Sequence, residues 1–351
     1  MKVVKQSVSK AIKALFHGTD FGSHKARCTA MADLLVGLLY QGKAGLSAMA
    51  RGSALLDETK TFRGQLKRAF RLVTNAHLNT WEIGNALFKA LCVNKSSVLI
   101  GVDWTKVNEY WVLEAGILVD GRAIPIYSTA VHWQDIKGRQ RSIEQSMEYA
   151  LAAMVLPNQI IHILVDRGFA SYDYVGPSLL YPSIHRITRL KKNMILQWDD
   201  TIAPFSEWPL EEGEVVEIEK ALLGRKKVVL TGIVIANVGG PCYLACHPSD
   251  VNQAYEYYEK RFWIEEQNRD LKTIFKIHLL RFKSPVRLEK MWGIVGIAFS
   301  LMYSVVSKAE AHRDRLSRKY TDERKDLSWV TLVSAVYSNT PAKVAIVPLV
   351  S

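Results

Sequence analysis

The chain has 351 residues, 48% of them hydrophobic, with 46 Lys and Arg against 34 Asp and Glu for a net charge of +12. That length can bury more than one core, so two or three domains are expected, and four cysteines are too few for a disulfide scaffold. The positive excess favours a polyanionic partner, because each phosphate contact releases condensed counterions; an anionic membrane surface and plain solubility are the alternatives.

The N-terminal segment MKVVKQSVSKAIKALF is amphipathic and lacks the apolar run of a signal peptide, so the chain reads as cytosolic. Apolar residues recurring at three and four predict helices over 30–39, 47–56, 61–72 and 81–91, with Gly42, Gly45 and Gly52 at the turns. Lys60, Arg63, Lys67, Arg68 and Arg71 make a basic stripe, which suits either a small helical DNA-binding unit or a solvated face.

The texture then changes. SVLIGV (97–102), residues 110–118 and residues 123–130 are β-branched and aromatic, with Asp120-Gly121 as a hairpin turn between the last two. A helix over 142–154 leads to a strand over 160–165, a further strand follows over 184–190, and 215–235 has the look of a β-rich insert. The first and fourth strands are nearly continuous apolar runs, as central strands buried on both faces require. Lys191, Lys192, Lys220, Arg225, Lys226 and Lys227 make this region basic too. Cys242, Cys246 and His247 lie close together, but their spacing is not that of a zinc finger and no second pair exists, so they read as ordinary buried thiols and a histidine. A long helix is predicted over 251–271. The apolar stretch 291–306 is too short for a membrane span and reads as a core helix. The tail is first charged and then apolar.

Asp103 ends the first predicted strand and Asp166 the fourth. Carboxylates just beyond the carboxyl ends of central strands can hold hard divalent cations, although a lone strand-end Asp more often caps a turn. On the 251–271 helix, Tyr258, Arg261, Glu265 and Lys272 fall within about 60° of one face, and Arg269 joins them. That face offers one acid among cations. It suits a metal site beside phosphate clamps, but spacing alone favours an exposed face in which Glu265 bridges Arg261 and Arg269.

The segment YYEKRFWIEEQNRDLK places Tyr258, Arg261, Glu265 and Lys272 in the spacing Y-x2-R-x3-E-x6-K. This resembles the signature of the YREK group of bacterial insertion-sequence DDE transposases (the insertion sequence family four type), and VDWTKV at Asp103 and VDRGF at Asp166 stand in the expected order. The likeness runs over roughly residues 25 to 300, including an N-terminal segment similar to the helical end-binding region of such enzymes. It implies an α/β fold with a ribonuclease H-like catalytic core, a β-rich insertion and a helical N-terminal DNA-binding region. The implied division is a DNA-binding region over 1–92, a catalytic domain over 95–312 with its insertion at about 205–247, and a C-terminal tail over 313–351 through whose equivalent such proteins often dimerise.

The resemblance further implies that Asp103, Asp166 and Glu265 bind two Mg²⁺ or Mn²⁺ ions, and that Tyr258, Arg261 and Lys272, with Arg269 beside them, grip the terminal phosphates. The implied reaction is cut-and-paste transposition through hairpin ends, on terminal inverted repeats and target DNA, by a homodimeric synaptic complex in the bacterial cytoplasm at the nucleoid. Tyr243 stands where relatives stack a flipped base, or else packs in the core as a strand tyrosine. Lys191 and Lys192 are candidate backbone contacts. A nuclease that joins nothing and a non-catalytic DNA-binding relative are the competing functions.

Overall fold

The computed structural model describes residues 2–176, 181–225 and 229–307; the tail over 313–351, Lys226 and Lys227 lie outside the described residues. The first third is helical: α1 (Lys2–Leu15), α2 (Lys25–Gln41), α3 (Leu46–Leu55), α4 (Phe62–Thr74) and α5 (Thr80–Cys92). Their ends have local causes. Gly42 takes a left-handed conformation after α2, the Thr61 hydroxyl accepts from the Gly64 amide at the start of α4, and Asn79 accepts from the Trp81 amide before α5. These helices are not a separate body. One continuous apolar cluster runs from Val8 and Ile12 through Leu34, Ile83 and Leu87 into the sheet and on to Trp292 and Phe299.

A meander follows: β1 (Ser97–Val107), β2 (Tyr110–Val119) and β3 (Arg122–His132). Asp120 and Gly121, at φ of 42° and 79°, make the two-residue turn between β2 and β3, where both positions need positive φ. Next come α6 (Gln140–Ala152), β4 (Ile160–Val165), β5 (Ile184–Arg189), β6 (Ile195–Trp198), β7 (Thr201–Pro204), β8 (Val215–Leu223), β9 (Val229–Asn237) and β10 (Pro241–Cys246). Helices α7 (Val251–Glu259), α8 (Phe262–Thr273) and α9 (Pro285–Ser307) complete the described chain.

Among the described residues the strands form one sheet in the order β3-β2-β1-β4-β5-β10-β9-β8-β6-β7. Its first half has two antiparallel hairpin neighbours followed by β4 and β5 parallel to β1, the order of a ribonuclease H-like core. The second half extends that sheet antiparallel from β5 through β10, so the β-rich segment widens the core sheet.

Strand alternation assigns the faces. Leu164 and Ile187 pack with Val251, Ala254 and Ile264 of α7 and α8. The intervening residues meet α6: Trp104 Nε1 donates to Glu144, and Arg186 forms a two-pronged pair with Glu148 at 2.9 and 2.6 Å. Gly101 lets α8 come close, since a Cβ there would sit 3.1 Å from Ile264. No helix among the described residues is long and apolar enough to cross a membrane, and α9, which holds the apolar stretch, is buried along its length at Met291, Trp292, Ile294, Val295 and Ala298.

The helix expected over 251–271 is two helices. At the joint, Arg261 N bonds Tyr258 O at 2.9 Å and Ile264 N bonds Arg261 O at 3.1 Å, so the chain makes tight three-residue turns there. The uniform 100° stripe therefore does not describe this face, and Glu265 lies in the first turn of α8, where an acid is favoured by the helix dipole.

Candidate active site

Asp103 does not end its strand. β1 continues to Val107 and pairs with β2 from Ile100 to that end, whereas its pairing with β4 stops at Gly101↔Leu164 because β4 itself stops at Val165. Asp103 thus sits where β1 outruns its parallel neighbour. Ser97 pairs with Ile160, and that register, extended two residues past its last pair, sets Asp103 level with Asp166. The β4–β5 register, extended by one, adds Arg189 to the same row, and β2 contributes Glu114 as the direct partner of Asp103. All four positions share the face covered by α7 and α8, as alternation requires.

From that cover α8 delivers Glu265. Burial pushes the Asp103 carboxyl up to about 6; Arg261 opposes the shift, while Asp166 and Glu265 reinforce it. The three acids therefore converge in one electrostatic neighbourhood. Arg261 lies among them, bonding Glu265 directly, with its guanidinium 5.9 Å from the Tyr258 ring centre. The salt-bridged face and the acid cluster coexist, because among the described residues the bridge from Glu265 runs to Arg261 and not to Arg269. Arg269 is mostly exposed and bonds Glu266, which also pairs with Arg122 at 3.4 Å. Asp166 likewise performs the turn-capping role of a strand-end Asp: its Oδ1 accepts from the Gly168 amide at 2.7 Å.

Beneath the cluster is a polar layer that no sequence pattern marks. Glu114 is 1% exposed, and its Oε2 accepts from Gln267 Nε2 at 3.0 Å and Trp292 Nε1 at 2.6 Å. The neighbouring helix residue, Asn268, directs Nδ2 at Asp103 Oδ2 from 3.4 Å. Glu114, Gln267 and Asn268 carried no expectation from the sequence, because the pairing that joins them is remote in sequence. Arg189 gave no signal either.

The other expected residues fall as follows. Tyr258 is buried at the end of α7, Lys272 is half-buried in the last turn of α8, and Lys191 and Lys192 are exposed just past the carboxyl end of β5, the end that presents Asp166. Tyr243 is half-buried in β10 with its ring 5.0 Å from that of Phe205, and its carbonyl accepts from Leu190. Of the basic stripe, Lys60 is committed internally to buried Asp33 at 2.5 Å and to Asp57 at 3.4 Å, and Arg68 also reaches Asp33. Lys25, Arg27, Arg68 and Arg71 line an open groove between α2 and α4.

A hard divalent cation fits the triad chemically: three carboxylates on separate elements, mutually repelling and with Arg261 as their shared cation, supply oxygen ligands and surplus negative charge.

A family model described as "Transposase DDE domain" matches residues 115–301. No curated protein matches the chain. Among solved structures, the piggyBac transposase synaptic complex with hairpin DNA aligns over 95% of this chain and 76% of that one, at 10% identity and a TM-score of 0.44.

Proposed function

The chain belongs to the transposase DDE-domain family, and from that premise we propose that Asp103, Asp166 and Glu265 are its metal-binding catalytic carboxylates. It is a DNA transposase, and members of its family use divalent metal ions to cleave and transfer DNA strands. Within the family we place it with the insertion-sequence enzymes that carry the Tyr258, Arg261, Glu265, Lys272 signature. The proposed reaction is cut-and-paste transposition of an element through hairpin ends, by a homodimer acting on terminal inverted repeats and target DNA. The observation that carries this is geometric: strand register sets Asp103 level with Asp166, on the sheet face that α8 covers with Glu265 in its first turn.

The three acids would hold two Mg²⁺ or Mn²⁺ ions, which would supply Lewis acidity for an in-line displacement at phosphorus. The chain's own residues position and neutralise. Asn268 orients the Asp103 carboxylate, and the Gly168 amide orients that of Asp166. Arg261, anchored on Glu265 and Tyr258, places a guanidinium beside the acids, where it can grip a phosphate in two-pronged fashion. Lys272, Arg269, Lys191 and Lys192 extend positive charge along a DNA backbone, and Tyr243 offers an aromatic ring for an unstacked base. The groove lined by Lys25, Arg27, Arg68 and Arg71 is the proposed contact for element ends.

The test uses labelled element ends, a target plasmid and Mg²⁺. Wild type is expected to cleave and join, while Asp103→Ala, Asp166→Ala and Glu265→Ala each abolish cleavage and keep end binding. Cleavage that survives in any of the three removes that residue from the triad. Cleavage without a joined product would make the enzyme a nuclease.

A further inference from the structure

A second cluster of metal-ligating side chains lies on the same face of the sheet, deeper in the fold. His162 of β4 and His185 of β5 are register partners, so their rings project side by side, 5.4 Å apart. Asp250, in the turn between β10 and α7, meets both: its Oδ2 lies 2.8 Å from His185 Nδ1 and 3.2 Å from His162 Nδ1. All three residues are buried, at 5%, 6% and 8% exposure, and their donor atoms lie within 4.8 Å of one another. His162 stands four residues before Asp166, roughly 13 Å along a strand, so this is not the triad.

We propose that His162, His185 and Asp250 form a structural site for a borderline divalent transition metal of the zinc class. Two imidazole nitrogens and one carboxylate oxygen suit such an ion and disfavour Mg²⁺, whose preference is for oxygen. A purely hydrogen-bonded cluster accounts for the arrangement less well. The two imidazoles crowd one carboxylate oxygen, and His162 Nδ1, fully buried, has no hydrogen-bond partner of adequate geometry. Tetrahedral zinc ligands stand about 3.4 Å apart at ordinary bond lengths, so the observed separations need to open by only a few tenths of an ångström.

The neighbours reinforce the site without ligating. His247 stacks on His185 at 4.0 Å between ring centres, with its own Nδ1 taken by the Ser249 hydroxyl at 2.7 Å. The Tyr257 ring stands 5.0 Å from that of His162. Cys242 and Cys246, the residues that first drew notice in the sequence, are not part of the cluster. A metal here ties the start of α7 to β4 and β5, and so fixes the helices that carry Tyr258, Arg261 and Glu265 over the strands that present Asp166 and Arg189.

The test uses the tag-free full chain bearing Asp103→Ala, Asp166→Ala and Glu265→Ala together, so that the triad takes no metal, after treatment with a chelator. Titration with Co²⁺ is expected to give one equivalent of bound ion, with visible ligand-field absorption and no sulfur charge-transfer band; Zn²⁺ displaces it and raises the melting temperature. His162→Gln or His185→Gln in the same background abolishes the uptake. No uptake, a sulfur charge-transfer band, or uptake unchanged by His185→Gln would each overturn the proposal. If the glutamine variants do not fold, the spectrum of the chain with its cluster intact remains decisive.

Discussion

Asp103 and Glu114 face each other as direct partners in the β1–β2 ladder, and consecutive residues of α8 bond them: Asn268 donates to Asp103 and Gln267 to Glu114. One helix turn thus addresses two carboxylates of opposite character, one open toward the triad and one sealed beneath it. The seal has a thermodynamic signature.

Burial pushes Glu114 up to about 7 from an ordinary 4.5, against the bonds from Trp292 and Gln267. Between those values the native protein holds a proton that the unfolded chain has released, so stability falls as pH rises through that window and levels off above it. Glu114→Gln keeps an acceptor for both donors and removes this contribution to the slope. Urea unfolding of chelator-treated protein is expected to show wild type losing on the order of 3 kcal/mol across the window relative to the variant. Parallel slopes in the two proteins would mean that Glu114 is ionised in the core.

Asp103→Asn is expected to separate stability from activity. It removes a buried charge that Asp166 and Glu265 disfavour, so the metal-free variant should gain about 1 kcal/mol at neutral pH while cleaving nothing. Calorimetry with and without Mg²⁺ checks both halves. Wild type should melt higher with the ion and the variant should not. A Mg²⁺ response that survives in Asp103→Asn would put the ion elsewhere.

On the other face, half-buried Arg186 and buried Glu148 are bonded at two points, with Arg186 also donating to the Tyr174 carbonyl at 2.9 Å. Removing either partner leaves a desolvated charge, so Arg186→Ala and Glu148→Ala should each cost about 3–5 kcal/mol of unfolding free energy. Joint replacement should cost less than the sum of the two. Additive losses would show that the pair is not coupled.

Lys272 is half-buried at the last turn of α8. Lys272→Ala should weaken the complex with cut ends and lower the slope of log affinity against log salt by about one phosphate contact. A slope equal to that of wild type would mark Lys272 as a surface residue.

Local patterns were legible in the sequence. The 3.6-residue and two-residue periods set the α/β class and most elements, because burial on one face of a helix or strand is a short-range pattern. The spacing of Tyr258, Arg261, Glu265 and Lys272, with Asp103 and Asp166 each after an apolar run, pointed to the DDE transposases, and the family comparison shows membership at that level. Three things were decided only by tertiary structure. Strand register set Asp103 level with Asp166 and opposite Glu114. The same pairing brought His162 to His185, while Asp250 arrived from the far side of the β-rich segment. The joint at Lys260 and Arg261 turned one predicted helix into two and put Glu265 at a helix start. Each depends on which strand lies beside which, and that choice is settled by burial summed over the whole sheet, a quantity that no local window of sequence contains.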